Sequence, residues 1–103
     1  MSSDDPQPPP PRHADFLPHE CKPFQVKGWT ETLRLASVST RVPPGWPSHL
    51  RQPFVVIFHG PRRPVLPAGM HVITADDGRC FTLHIMPIHT VEPDRQDYQA
   101  VFN

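Results

Sequence analysis

The sequence lacks an excess of charge of either sign and lacks any long hydrophobic run. Ten basic and ten acidic residues give a formal net charge of +0 at pH 7. Proteins that bind nucleic acid usually carry a basic patch, whereas the only adjacent basic pair here is Arg62–Arg63, which we interpret as a solvated loop tip. No stretch approaches the about 18 apolar residues of a membrane-spanning helix, and the acidic, proline-rich N-terminus differs from a signal peptide. We therefore expect a cytoplasmic protein that associates with neither nucleic acid nor membrane.

Cysteine is scarce, and the patterns typical of catalytic sites are missing. Because disulfides are rare in the cytosol, Cys21 and Cys80 are predicted to be free thiols. No Cys-x-x-Cys, His-x-x-x-His or Gly-x-Ser-x-Gly spacing occurs. Cys80 and His84 lie about 13 Å apart on an extended strand, whereas a catalytic dyad needs contact at about 3 Å. We expect no enzymatic activity and no cofactor.

Proline, by contrast, is abundant, with 16 residues in a chain of 103. Residues 1–12 are predicted to be a disordered tail, since they have too little apolar surface to offset the entropy of ordering. Pro8–Pro11 and the Arg12 that follows suit a stiff spacer; the alternative is a polyproline II ligand for an aromatic groove. Residues 13–103 are predicted to form a single β domain.

The later prolines divide the β domain into short segments. Proline disrupts helix interiors and strand centres, so we predict one helical turn at Ala14–His19 and otherwise short strands. The pattern predicts an all-β fold, either a small antiparallel barrel or a two-sheet sandwich of about six to seven strands. A β-bulge near Ala36 is expected, because Val38 is out of phase with Leu33 and Leu35. The main predicted strands are Phe24–Lys27, Thr30–Val38, Phe54–Phe58, Met70–Ala75, Arg79–Met86 and Tyr98–Phe102.

Asp77 and Gly78 are expected to join two of these strands through a two-residue type I′ turn. This turn fixes a register that gives the hairpin one apolar face. In that register the facing pairs are Thr74 with Phe81, Val72 with Leu83, and Met70 with Ile85.

The same register places His71 opposite His84 on the polar face of the hairpin. Two facing imidazoles can share a divalent ion, although a third ligand would have to come from His59, His89 or Cys80. Our preferred interpretation is a pair of surface histidines without metal; metal binding is the alternative.

The strand Phe54–Phe58 has apolar residues on both faces. An antiparallel sheet with one face in water carries polar residues on that face. Either the strand is buried on both faces or a partner covers the second face, as expected for a protein–protein contact. The predicted interaction face comprises Val55, Ile57, Ile73, Met86 and Ile88.

Two tryptophans, Trp29 and Trp46, lie near predicted turns. They either border that face, cover the ends of the core, or rim a pocket closed by the rigid loop Pro43–Pro47. The last arrangement would make the protein a small ligand-binding β-barrel.

Three segments of the sequence together resemble a known family. They are Phe54-x-x-x-Phe58-x-Gly60-Pro61, Leu66-Pro67-x-Gly69 and the closing Tyr98-x-Ala100-Val101-Phe102-Asn103. The pattern resembles short uncharacterised bacterial proteins that end in Tyr-Glu-Ala-Val-Phe-Asn and are often encoded beside proteins with phage-tail-collar domains. The similarity covers about Phe16 to Asn103. It implies a compact β domain and an accessory role in a tail-like or fibre-like assembly, and it assigns no catalytic or binding residue.

From the sequence we therefore expect a non-enzymatic structural or interaction module that binds a protein partner or a second copy of itself. The alternatives are a small ligand-binding β-barrel and a metal-binding protein that uses histidines.

Overall fold

The computed structural model describes residues 11–40, 44–47, 50 and 52–102. The predicted proline-rich tail therefore lies almost wholly outside the described residues. The predicted helical turn and all six predicted strands are confirmed, with small differences at their ends. The elements are α1 (His13–Phe16), a 3₁₀ helix (Leu17–His19), β1 (Pro23–Val26), β2 (Thr32–Thr40), β3 (Phe54–Pro61), β4 (Gly69–Ala75), β5 (Cys80–Ile88) and β6 (Arg95–Phe102). Neither of these two short helices is long and apolar enough to cross a membrane, and the described ranges contain no other.

The six strands form a closed antiparallel barrel in the order β1-β2-β3-β6-β5-β4, with β4 pairing back to β1. The sequence left a barrel and a sandwich as alternatives, and the structure shows the barrel. Closure gives each strand two neighbours, which protects the sheet from adding a further strand at an edge.

The predicted β-bulge is present in β2. The pairing of β2 with β3 shifts by one residue between Leu35 and Ser37, so Ala36 is the extra residue. Side chains alternate along a strand, and one inserted residue exchanges the two faces. The bulge thus allows both Leu33 and Val38 to contact the core.

The barrel interior is filled by a single apolar cluster. Alternate residues of every strand contribute to it, and α1 and the connection between β3 and β4 add one residue each. The buried core consists of Phe16, Phe24, Val26, Leu33, Leu35, Phe54, Val56, Phe58, Leu66, Ile73, Ala75, Phe81, Leu83, Ile85, Tyr98 and Ala100.

One part of the core is closed by the Phe16 side chain of α1. This ring is fully buried and stacks on Phe81 with a centroid separation of 4.7 Å. It also contacts Phe54 at 5.9 Å and Phe102 at 5.7 Å. The four-residue helix is too short to be stable alone, so these contacts hold it against the barrel.

Elsewhere the core is organised around Tyr98. The Leu66 backbone N–H donates a hydrogen bond of 2.8 Å to the Tyr98 hydroxyl, and Trp29 meets the Tyr98 ring edge-on at 6.4 Å. A Cβ added at Gly60 would lie 3.0 Å from Leu33 Cδ2 and 3.1 Å from Tyr98 Cε2. Glycine at this position therefore lets β3 pass close to the ring.

The predicted two-residue turn between β4 and β5 is wrong. The connection is a three-residue loop, in which the Gly78 N–H donates to the Ala75 carbonyl at 3.0 Å and the Ala75 N–H donates to the Arg79 carbonyl at 2.8 Å. Gly78 has φ +92°, whereas Asp77 does not have a positive φ. A type I′ turn needs a positive φ at both central residues, but a three-residue hairpin needs it only at the last.

The longer loop changes the register by one residue. Ile73 pairs with Phe81 and Thr74 with Cys80, so the inward face of β4 carries Ile73 and Ala75. Met70, predicted on the apolar face, is 63% exposed.

Replacing Gly78 with alanine tests whether this loop needs a residue that readily adopts a positive φ. A Cβ at Gly78 would have no atom within 4 Å, so the cost is conformational and we expect Gly78→Ala to lower the free energy of unfolding by about 1–2 kcal/mol. Gly78→Asn should lose less, because asparagine tolerates the left-handed region. Urea denaturation of the wild type and the two variants measures their order of stability. Equal stability of the alanine variant and the wild type would contradict this description of the turn.

Candidate functional site

An apolar strip runs across the outer surface of β3, β6 and β5. Val55 pairs with Val101, and Ile57 pairs with Gln99, which in turn pairs with Met86. Paired residues of antiparallel strands point to the same side of the sheet, here opposite to the core residues of β3. We call Val55, Ile57, Met86 and Val101 the outer apolar strip.

The exposure of the strip is uneven. Val55 retains only 8% of its surface and Ile57 is half-buried, whereas Val101 is 49% exposed and Met86 is 39% exposed. The chain itself therefore covers the strip at Val55. The part open to a partner is formed by Met86 and Val101.

Of the other two residues of the predicted interaction face, Ile73 lies elsewhere and Ile88 continues the outer face of β5 next to Met86. Ile73 is fully buried in the core, because the one-residue difference in register turns it inward, and it is not part of the face. Ile88 is half-buried on the outer surface, where it pairs with Asp97 next to a group of charged residues.

The charges beside Ile88 neutralise one another. Arg95 Nε donates to Asp97 Oδ1 at 2.7 Å, and His59 Nε2 lies 3.6 Å from the same oxygen. The hydrogen bond to Asp97 raises the pKa of Arg95 above its usual value. This group borders the strip and places no unpaired charge on it.

The two tryptophans lie in different connections between strands. Trp29 lies in the turn between β1 and β2 and Trp46 in the connection between β2 and β3, so they lie beyond opposite ends of β2. Trp46 is half-buried, and its Nε1 is buried without a hydrogen-bond partner among the described residues.

The core of the barrel, as far as the structure describes it, is almost entirely apolar. Binding pockets combine apolar walls with a few convergent polar groups. Here the core residues are apolar apart from the Tyr98 hydroxyl, and that hydroxyl already accepts a hydrogen bond from Leu66.

The predicted pairing of His71 with His84 is also wrong. In the observed register His71 pairs with Leu83 and His84 with Met70, so the two imidazoles point to opposite faces of the sheet and cannot share a metal ion. His71 Nε2 instead donates to the Pro67 carbonyl oxygen at 2.8 Å.

A different group of potential ligands, which the sequence analysis missed, surrounds the β4–β5 loop. The ligand atoms of His19, Asp76 and Asp77 all lie within 4.8 Å of one another. His19 retains 3% of its surface, and neither of its ring nitrogens has a hydrogen-bond partner in the described part of the chain. An unpaired buried polar group costs about 1–3 kcal/mol, so this arrangement requires an explanation.

Cys21 and Cys80 are free, as predicted, and both are exposed. The Cys80 thiol lies near the Thr74 hydroxyl at 3.5 Å and the Gly78 carbonyl at 3.8 Å. Within the described ranges neither thiol is hydrogen-bonded to a histidine, and no thiol–imidazole pair of the kind that nucleophilic catalysis uses is formed there.

Comparison with known proteins identifies a family to which no activity is assigned. Neither the curated proteins nor the solved structures contain a match to this chain. One family model, described as a domain of unknown function (DUF6916), matches residues 11–102. That match spans most of the sequence and contains the whole barrel, so the chain belongs to the DUF6916 family.

Proposed function

We propose that the protein is a non-enzymatic structural or interaction module that binds a second copy of itself through the outer apolar strip. The observation that carries the proposal is the exposure of Met86 and Val101 on one outer face of a barrel that already has a complete core. Burial of exposed apolar surface stabilises an association by about 25 cal/mol per Å².

The polar residues around the strip favour a second copy as the partner. Ser37 and Ser39 pair with Ile57 and Val55 on β2, and Gln99 lies between Ile57 and Met86. All three side chains are uncharged. In a two-fold symmetric dimer the same patch faces itself, so a neutral patch brings no like charges together.

The sequence resemblance adds a biological setting to this proposal. A barrel that pairs through one face suits an accessory position in a tail-like or fibre-like assembly, where copies of a small module lie side by side.

Introducing charge into the strip tests the proposal. We expect the wild type to form a dimer at micromolar concentration and Val101→Glu/Met86→Glu to weaken the dimer at least about tenfold, since an unpaired carboxylate is costly to bury in an interface. Size-exclusion chromatography with light scattering, over a dilution series, measures the dissociation.

Val91→Glu provides the matched control. Val91 is 86% exposed in the connection between β5 and β6, so the substitution adds one carboxylate away from the strip, against two in the strip variant, and should leave the dimer intact. A wild type that stays monomeric at high micromolar concentration, or equal disruption by the control, would contradict the proposal. Circular dichroism establishes that each variant is folded.

A further inference from the structure

His19 and the β4–β5 loop meet although they are far apart in the sequence. His19 ends the 3₁₀ helix, and its Nε2 lies 3.9 Å from Asp77 Oδ2. The Asp76 carboxylate completes a group whose ligand atoms are all within 4.8 Å of one another. Asp76 and Asp77 are both exposed, so these two side chains have freedom to move toward a ligand.

The buried imidazole distinguishes this group from an ordinary acidic turn. Its two nitrogens have no hydrogen-bond partner in the described chain, and 3.9 Å is too long for a hydrogen bond to Asp77. Two ligands of one zinc ion, each at about 2.0–2.2 Å from the metal, are about 3.3–3.6 Å apart in tetrahedral geometry. A modest movement of the Asp77 side chain would therefore bring both atoms to an ion.

Local contacts hold the ligands in orientation. The His19 ring meets Phe24 edge-on at 5.6 Å and Phe81 edge-on at 6.1 Å. Asp77 Oδ1 accepts a hydrogen bond from the Arg79 N–H at 3.0 Å, which leaves Oδ2 as the oxygen nearest His19. The rings of Phe24 and Phe81 pack against the imidazole of His19, whereas the carboxylates of Asp76 and Asp77 are exposed to water.

The charge of the site matches a divalent cation. Two adjacent carboxylates contribute two negative charges, and the guanidinium of Arg79 lies 3.5 Å from Asp15 Oδ1. Imidazole favours first-row transition metals over magnesium and calcium. We propose that His19 Nε2 and the carboxylates of Asp76 and Asp77 bind a zinc-type divalent ion, with water in the remaining position, and so connect the 3₁₀ helix to the β4–β5 loop.

The site is independent of the outer apolar strip, and its test uses zinc binding by the full chain. In a Cys21→Ser/Cys80→Ser background, which removes binding by exposed thiols, calorimetric titration with zinc chloride should give one ion per chain. Asp76→Asn/Asp77→Asn should lower the affinity at least about a hundredfold, since it removes two of three protein ligands. Asparagine keeps the side-chain oxygen that the Arg79 N–H needs, so the loop should stay folded.

Two controls separate this site from other zinc-binding groups. Glu92→Gln/Asp94→Asn removes the same charge from two exposed residues between β5 and β6 and should change the affinity less than twofold. His71→Gln/His84→Gln should also have no effect. In the parent protein, zinc should shift the imidazole nitrogen resonances of His19, which reports ligation even if a variant fails to fold.

Any one of four results would overturn the proposal. Three concern affinity: no zinc binding by the parent protein, unchanged affinity in Asp76→Asn/Asp77→Asn, or loss of binding in His71→Gln/His84→Gln. Unchanged His19 resonances at saturating zinc would do the same.

Discussion

Phe16→Ala should lower the free energy of unfolding by about 3–5 kcal/mol, the range for removing a large aromatic side chain from a core. The ring is fully buried and contacts Phe54, Phe81 and Phe102, residues of three different strands. Removing it opens a cavity where α1 covers the barrel. A domain of this size has a total stability of about 5–13 kcal/mol, so the substitution should remove a large part of it.

Leu17→Ala is the matched control for this prediction. Leu17 is the next residue in the chain and is 42% exposed, so its truncation should change stability by about 0.5 kcal/mol or less. Urea denaturation followed by tryptophan fluorescence compares the two variants. Equal effects would mean that Phe16 does not close the core.

The strands and the bulge could be predicted from the sequence because both depend on the order of residues within a single segment. Prolines delimit the segments, and alternation of apolar residues in β5 identifies its inward face. The bulge followed from one phase error, between Leu35 and Val38, that a single extra residue corrects. These inferences needed no knowledge of neighbouring strands.

The hairpin register was not accessible in the same way. Asp76-Asp77-Gly78 allows either a two-residue or a three-residue loop, and each places one apolar residue of β4 opposite the pair Phe81 and Leu83: Val72 opposite Leu83 in the predicted register, and Ile73 opposite Phe81 in the observed one. The choice depends on whether Ile73 or Val72 fits the barrel interior, which is a property of the packed core. The same register error explains why Ile73 was wrongly predicted on the interaction face and why His71 was wrongly paired with His84.

The group around His19 was missed for a related reason. His19 and Asp77 are separated by 57 intervening residues, and they meet because the 3₁₀ helix packs over the barrel near the β4–β5 loop. The sequence showed Asp76 and Asp77 as an ordinary acidic turn. The one available signal was a histidine inside the predicted helical turn, with apolar Phe16 and Phe24 on either side in the sequence.

Tyr98→Phe should lower the free energy of unfolding at neutral pH by about 1–3 kcal/mol, because it leaves the buried Leu66 N–H without its acceptor. The ring itself is kept, so its packing against Trp29 and Gly60 changes little. Thr82→Val, a hydroxyl removal on the exposed face of β5, should change stability by about 0.5 kcal/mol or less.

The pH dependence gives this prediction a second, independent measurement. Burial raises the pKa of Tyr98 above its ordinary value, and the hydrogen bond from Leu66 opposes part of that rise. Above about pH 10, the ordinary tyrosine pKa, the unfolded chain loses the phenol proton while the folded chain keeps it. The unfolded state then binds fewer protons than the native state, so the stability of the wild type falls as pH rises.

In Tyr98→Phe this alkaline loss is absent, so the stabilities of variant and wild type should converge as pH rises above about 10. Denaturation at a series of pH values tests the convergence, and Thr82→Val should follow the wild-type curve in parallel. Tyr98 is the only tyrosine in the chain, so the absorbance change on phenol ionisation reports this residue alone. If Tyr98 of the folded protein ionises at the same pH as a free tyrosine, its hydroxyl is not shielded from water. The pKa would then be the same in the folded and unfolded states, and this would contradict the expected convergence.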